Sequence, residues 1–348
     1  MSRLHLFSVV LLFVAFLPQK YEGCEHCYTT KEINDGVSQA RKLLLVAPSL
    51  KKNVTSLSDK ITFLDVHMTL ALTEVRSSIP KLLGQAYALN GDTDDVAYFA
   101  AHASVPGKPY NEYFGIVSTI DVYGHNIRHG QMSASSVMVA NLGDGSKETY
   151  NSIRVGWMVS PELYGDSYAH FYTHWNVCFL RGDGYGRKGC YNMECPGFQL
   201  EQGSKVAPGA IITKAPTTGG SHHTITVKLF KERSSKNWWV YYGMDNDTPT
   251  AVGYYPGNLF AGLAEKASDI AFGGESRARR SLPTPPMGSG FLPSPSAASM
   301  SNLQFVDQDG QSIPISSDLP VIAEKPKCYY VSPIVGAKFF FGGPAGCF

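Results

Sequence analysis

The 348 residues carry 30 Lys and Arg against 29 Asp and Glu, and 43% of them are hydrophobic. That length supports one large core or two ordinary ones, and the hydrophobic share argues against a disordered chain or a coiled coil. A net charge of +1 gives no electrostatic reason to expect a nucleic acid or an anionic membrane as partner.

Residues 1–23 have the layout of a secretory signal. Arg3 and His5 precede an apolar run from Leu6 to Leu17, interrupted only by Ser8 and ended by Pro18. The run is too short for a bilayer core of about 30 Å. Cleavage is expected near Gly23, giving a secreted protein in an extracellular or vacuolar-type compartment. The rest of the sequence holds no second long apolar run, so no membrane anchor is expected.

Residues 24–105 read as an α-leaning N-terminal segment. Between 56 and 80, Ile61, Leu64, Met68, Leu72, Val75 and Ile79 recur every three or four residues, with Ser58 to cap the start and Pro80 to end it. Lys31 to Val46 is a second expected helix. From 106 to 348 the period changes. Phe114, Ile116, Ser118, Ile120 and Val122 alternate with other residues, as do Ile153, Val155, Trp157 and Val159, and then Ile225, Val227 and Leu229 ahead of Trp238 to Tyr242. Such runs between Gly, Pro, Asn and Asp turns predict an all-β domain, a sandwich or barrel of antiparallel strands. The 34 Gly, 21 Pro and 19 Tyr fit that class. One interruption, Pro256 to Ile270, has helical spacing at Leu259, Leu263, Ala267 and Ile270. The prolines at 283, 285, 286, 293 and 295 make 281–296 an irregular loop.

The seven cysteines suit an oxidising compartment. Cys190 and Cys195 are spaced to close a short loop, and Cys328 and Cys347 to staple the C-terminus. Cys24 and Cys27 form a CxxC pair with no second pair to complete a zinc site, and Cys178 is left over; spacing alone does not fix connectivity. Asn53 and Asn246 stand in N-glycosylation acceptor triplets.

The sequence contains no Gly-x-Ser-x-Gly elbow, no His-Glu-x-x-His and no phosphate-binding loop. Gly165-Asp166-Ser167 reads as a turn. His170 and His174 share a face but lack a third ligand, so packing is the better reading, and neither a metal nor a cofactor is expected. His222 and His223 follow a glycine pair and read as loop. Arg277 to Arg280 is a basic run of the kind that processing proteases cut, although a solvated charge cluster explains it equally well.

Several motifs then occur in order. Gly156-Trp157-Met-Val-Ser-Pro161-Glu162-Leu-Tyr164-Gly165-Asp166 is followed by Gly189-Cys190-Tyr191-Asn192 with Cys195-Pro-Gly-Phe198. Asn237-Trp238-Trp239, Gly253-Tyr254-Tyr255-Pro256, Phe272-Gly273-Gly274-Glu275, Met287-Gly288-Ser289-Gly290 and Gly342-Gly343-Pro344 come after. Together they resemble the neprosin family. The resemblance implies a sandwich of two antiparallel sheets, secretion, disulfides Cys190–Cys195 and Cys328–Cys347, and cleavage after proline in acid by two glutamates. Residues 24–105 occupy the place of the family's activation peptide, though their sequence does not resemble its common form. One implied catalytic glutamate is Glu275. The other position, two residues before Gly156-Trp157, holds Arg154.

A two-carboxylate peptidase needs one group to accept a proton from water and another to donate one to the leaving amine. Arginine does neither at working pH. The expectation is therefore a neprosin-like domain that binds a peptide, a proline-rich protein or a cell-wall polysaccharide without cutting it. One alternative is an acidic prolyl endopeptidase pairing Glu275 with Glu162. Another is a carbohydrate-binding sandwich. Trp157, Tyr164, Trp239 and Tyr255 are the aromatic candidates for ligand contact.

Overall fold

In the computed structural model the described residues are 95–104, 112–142, 150–176, 189–212 and 223–347. The expected signal sequence, the helices over 31–46 and 56–80, Asn53, Cys24, Cys27, Cys178 and His222 lie outside them.

The strands in chain order are β1 (Asp95–Ala103), β2 (Gly115–Asp121), β3 (Gln131–Asn141), β4 (Asn151–Val159), β5 (His170–Asn176), β6 (Cys190–Tyr191), β7 (Gln199–Leu200), β8 (Thr224–Lys231) and β9 (Trp238–Met244). Then come β10 (Thr250–Tyr255), β11 (Asp269–Arg279), β12 (Met287–Gly288), β13 (Ala298–Val306), β14 (Ser312–Pro314), β15 (Val321–Ala323), β16 (Tyr330–Val331) and β17 (Phe339–Gly343). A single helical turn, α1 (Pro161–Tyr164), follows β4. One sheet has seven strands in the order β15-β1-β11-β3-β4-β5-β6. The other has ten, eight of them in the order β12-β17-β13-β2-β8-β9-β10-β7, with β14 on β13 and β16 on β17. Every strand pairing is antiparallel. The expected two-sheet, all-β domain is present.

Strand periodicity sends alternate residues to opposite faces. Val155, Trp157, Val159 and Phe171 of the seven-stranded sheet share one core with Ile116, Ile120, Val227, Leu229, Trp238 and Val240 of the other. Trp157 Nε1 donates to the Asp121 carbonyl at 2.8 Å, and the Asp121 carboxylate accepts from the Ser299 amide at 2.7 Å and its hydroxyl at 2.9 Å. One aspartate at the end of β2 thus joins β4 to β13 through the core. The two expected disulfides, Cys190–Cys195 and Cys328–Cys347, are both formed.

Two readings of the sequence are corrected. The sandwich does not begin at 106, because β1 lies inside the seven-stranded sheet between β15 and β11. Its Ala97, Ala100, Ala101 and Ala103 gave no strong period of either kind, and the small side chains let β1 lie close against Gly273 of β11. Pro256 to Ile270 is not a helix. It makes two 3₁₀ turns, Gly257–Leu259 and Gly262–Ala264, before running into β11. The Asn151 side-chain oxygen accepts from the Ala261 and Gly262 amides, and Trp238 Nε1 donates to the Leu263 carbonyl, so side chains satisfy groups that a helix would pair internally. The segment 281–296 is largely loop, as expected, with the short β12 inside it.

At the start of β11, Asp269 is buried and accepts from the hydroxyls of Ser268 and Ser104. Burial pushes its carboxyl up to about 6, against the smaller opposing effect of those hydroxyls. A raised acid in the folded state favours the protonated form, so this group stabilises the fold most below its unfolded value near 4. Stability then falls as pH rises to about 6. Asp269→Asn is expected to flatten that segment of the stability profile, removing a difference of about 2–3 kcal/mol. Urea unfolding at several values across the interval measures it, and an unchanged slope counts against the assignment.

Candidate functional site

The face of the seven-stranded sheet turned away from the main core carries Arg154, Glu275 and Arg277 alongside two smaller apolar clusters, one with Phe99 and Met138 and one with Met158 and Tyr172. On β4, Arg154 and Gly156 take that face while Val155 and Trp157 enter the core. On β11, Glu275 and Arg277 take it, two residues apart. The register sets Arg154 opposite His174 and Gly156 opposite Tyr172 on β5, and His174 opposite Tyr191 on β6. Gly156 and Gly274 make the close packing possible. A Cβ on Gly156 would stand 2.0 Å from the Ser135 carbonyl oxygen, and one on Gly274 2.8 Å from the Met287 thioether.

Glu275 sits between two guanidiniums. Arg154 Nη1 donates to Oε2 at 3.1 Å, while Arg277 Nη2 and Nε donate to Oε1 at 2.5 and 3.2 Å. Side-chain exposure is 5% for Arg154, 7% for Glu275 and 11% for Arg277, so the triad is largely removed from water. Burial works against the charge on Arg277, yet the Glu275 carboxylate and Tyr191 outweigh it and the net shift is upward. The phenols of Tyr172 and Tyr191 are pushed up by burial, with Arg154 acting against the shift at both and Arg277 doing so at Tyr191. The His174 and Tyr191 rings lie 4.6 Å apart. Beyond the triad, the Glu324 carboxyl is pushed up by burial and then by the negative charge of Glu275.

Glu162 is not brought to Glu275. It lies on α1, half exposed, where Oε1 accepts from Arg279 at 2.7 Å and Oε2 stands 3.9 Å from His129. Arg279 is four residues along β11 from Glu275, about 13 Å of strand. Gly165, at φ 79°, ends the turn in the left-handed region and sends the chain on across the surface. The pairing of Glu162 with Glu275 as catalytic residues is therefore corrected.

The aromatic candidates separate in the same way. Trp157 and Tyr255 are fully buried core residues. Tyr164 lies at one end of the polar face, stacked on His170 with centroids 3.8 Å apart, its hydroxyl accepting from Asn192 at 3.2 Å. Trp239 belongs to the other sheet. His170 itself is a packing residue, with Nε2 at 2.9 Å from the Asp166 carboxylate and Nδ1 at 2.7 Å from the Gly209 carbonyl. The basic run is divided between a buried start and an exposed end at Arg279 and Arg280. Arg277 is buried beside Glu275 and Arg279 is paired with Glu162, both within β11. Asn246 is exposed on the turn between β9 and β10, where an acceptor asparagine is accessible.

Sequence reasoning missed two residues, Arg277 and Glu324. Arg277 was legible, because a residue two along a strand from Glu275 shares its face. Glu324 carried no local signal and reaches the site only through the pairing of β15 with β1.

The neprosin family model matches residues 129–344. The chain belongs to the neprosin family. This neprosin-family chain is also similar to Scytalido-glutamic peptidase solved with a peptide-based transition-state analogue. That match has 10% identity and a TM-score of 0.36, over 71% of this chain and 97% of that one. It is similar as well to SCP-B, a member of the eqolisin family of peptidases in complex with the tripeptide Ala-Ile-His, at 10% identity and TM-score 0.36, over 72% and 99%. A PL-14 alginate lyase from Aplysia kurodai matches at 11% identity and TM-score 0.22, over 53% and 82%.

Proposed function

We propose that this is a secreted member of the family that binds a peptide or proline-rich protein on its Glu275 face and does not cleave it. The observation that carries the reading is the triad. Where water activation calls for two carboxylates that exchange protons, Glu275 has a guanidinium on each oxygen. Two arginines supply charge and directed donors but no proton transfer. The two disulfides favour an oxidising compartment, and among the described residues no helix is long and apolar enough to cross a membrane.

A second reading has one specific observation behind it. The Glu324 carboxyl is raised, first by burial and then by the charge of Glu275, as a proton donor to a leaving amine requires. In that reading Glu324 replaces the family's first glutamate. Proline-containing peptides incubated with the purified protein across acidic pH, with mass spectrometry of the products, separate the two. The non-hydrolytic reading expects intact peptide. Cleavage that disappears in Glu324→Gln would replace it with the second.

A further inference from the structure

The open face of the ten-stranded sheet carries a second feature, independent of the Glu275 triad. Phe230 on β8 pairs directly with Trp239 on β9, and Trp239 with Tyr254 on β10, which in turn faces Gln199 on β7. The neighbours Leu229, Trp238 and Tyr255 fill the core, so alternation turns this row outward. Its three aromatic residues are each partly exposed. Trp239 and Tyr254 have centroids 4.7 Å apart. In the adjoining row, the Lys228 ammonium lies 5.0 Å from the Phe230 centroid and 5.8 Å from that of Tyr241, its cross-strand partner. Strands are spaced about 4.8 Å, so the row offers ring surface over about 10 Å across the sheet.

Solvent-facing sheet positions are ordinarily polar, and three aromatics in register across adjacent strands are an unusual use of them. Aromatic faces with phenol and amide groups at their edges suit a ligand that is apolar on its ring faces and hydroxylated at its rim. The charge around the row selects further. Lys228 contributes one cation, while Glu232 and Glu201 lie close enough to act on the Tyr241 phenol. A polyanion meets those carboxylates and a polycation meets Lys228, whereas an uncharged ligand meets neither repulsion. We infer that the Phe230, Trp239 and Tyr254 row is a docking platform for an uncharged polysaccharide strand, laid across β8, β9 and β10.

Trp239 makes the test direct. Of the four tryptophans, Trp157, Trp175 and Trp238 are buried, so iodide quenching of fluorescence in the full chain reports on Trp239. Cellohexaose, laminarihexaose and chitohexaose serve as probes. At least one is expected to protect Trp239 from iodide, and Tyr254→Ala is expected to weaken that protection about tenfold, with the circular dichroism spectrum unchanged. Retention on the matching insoluble glucan or chitin should be lost in Trp239→Ala and largely kept in Trp239→Phe. Binding that survives Trp239→Ala with Tyr254→Ala overturns the assignment, as does failure of all three oligosaccharides to protect. So does protection that grows with protein concentration in the absence of sugar, which would make a second copy the occupant.

Discussion

On the non-hydrolytic reading proposed above, replacing Arg154 with glutamate is expected to give a chain that cleaves after proline in acid. The substitution puts a carboxylate on β4 facing Glu275, in place of the guanidinium now 3.1 Å from Oε2. Two carboxylates in so small a space do not both ionise readily, and the one that keeps its proton becomes the donor while its partner activates water. Arg277 remains on Oε1 of Glu275, so the new side chain is the carboxyl without that cation and takes the donor role. General acid–base catalysis of this kind contributes about 10²–10⁴-fold, so a gain of at least about 10² over the parent protein is the expected outcome. Mass spectrometry of a proline-containing peptide across acidic pH measures it. A folded but inert Arg154→Glu protein would place the block at another residue of the face.

The second large effect is on stability. Glu275→Gln leaves two buried guanidiniums opposite a neutral amide, and breaking a buried ion pair by removing one partner costs about 3–5 kcal/mol. For a domain of this size the midpoint of thermal unfolding should fall by about 6–20 °C. Replacing Arg154, Glu275 and Arg277 together with methionine should cost far less, because well-packed apolar groups substitute for buried ion clusters with little loss. The contrast between single and triple variants is the informative measurement. Equal midpoints for Glu275→Gln and the parent would mean that the guanidiniums remain solvated.

The alternation in β2, β4, β8 and β9 was legible in the sequence because each of these strands buries one face against the opposite sheet. β1 was not, since alanines satisfy both a helical and an extended reading and their packing against Gly273 is visible only across 170 residues of chain. Pro256 to Ile270 misled for a related reason. Leu263, Ala267 and Ile270 all enter the core, but they do so from a turn, an isolated bridge and a strand that produce helical spacing by succession. At the site, Arg154 opposite Glu275 followed from the motif register. The participation of Arg277 was hidden by treating its basic run as surface charge, and Glu162 was admitted because distance along the chain says nothing about where α1 turns.

The position of β1 has a consequence during synthesis. It is an interior strand, yet its main partner β11 lies about 170 residues later in the chain. At roughly 5–20 residues per second, β1 leaves the ribosome about 10–35 s before the strand that completes its ladder. The span matched to the family, 129–344, contains neither β1 nor β2, and both stand between other strands in their sheets. A fragment cut at that boundary would open β11 on one side and divide β13 from β8, creating unpaired edges that invite strand exchange between chains. Closure of the seven-stranded sheet is thus a late, long-range event, with the high contact order that slows β-sandwich folding.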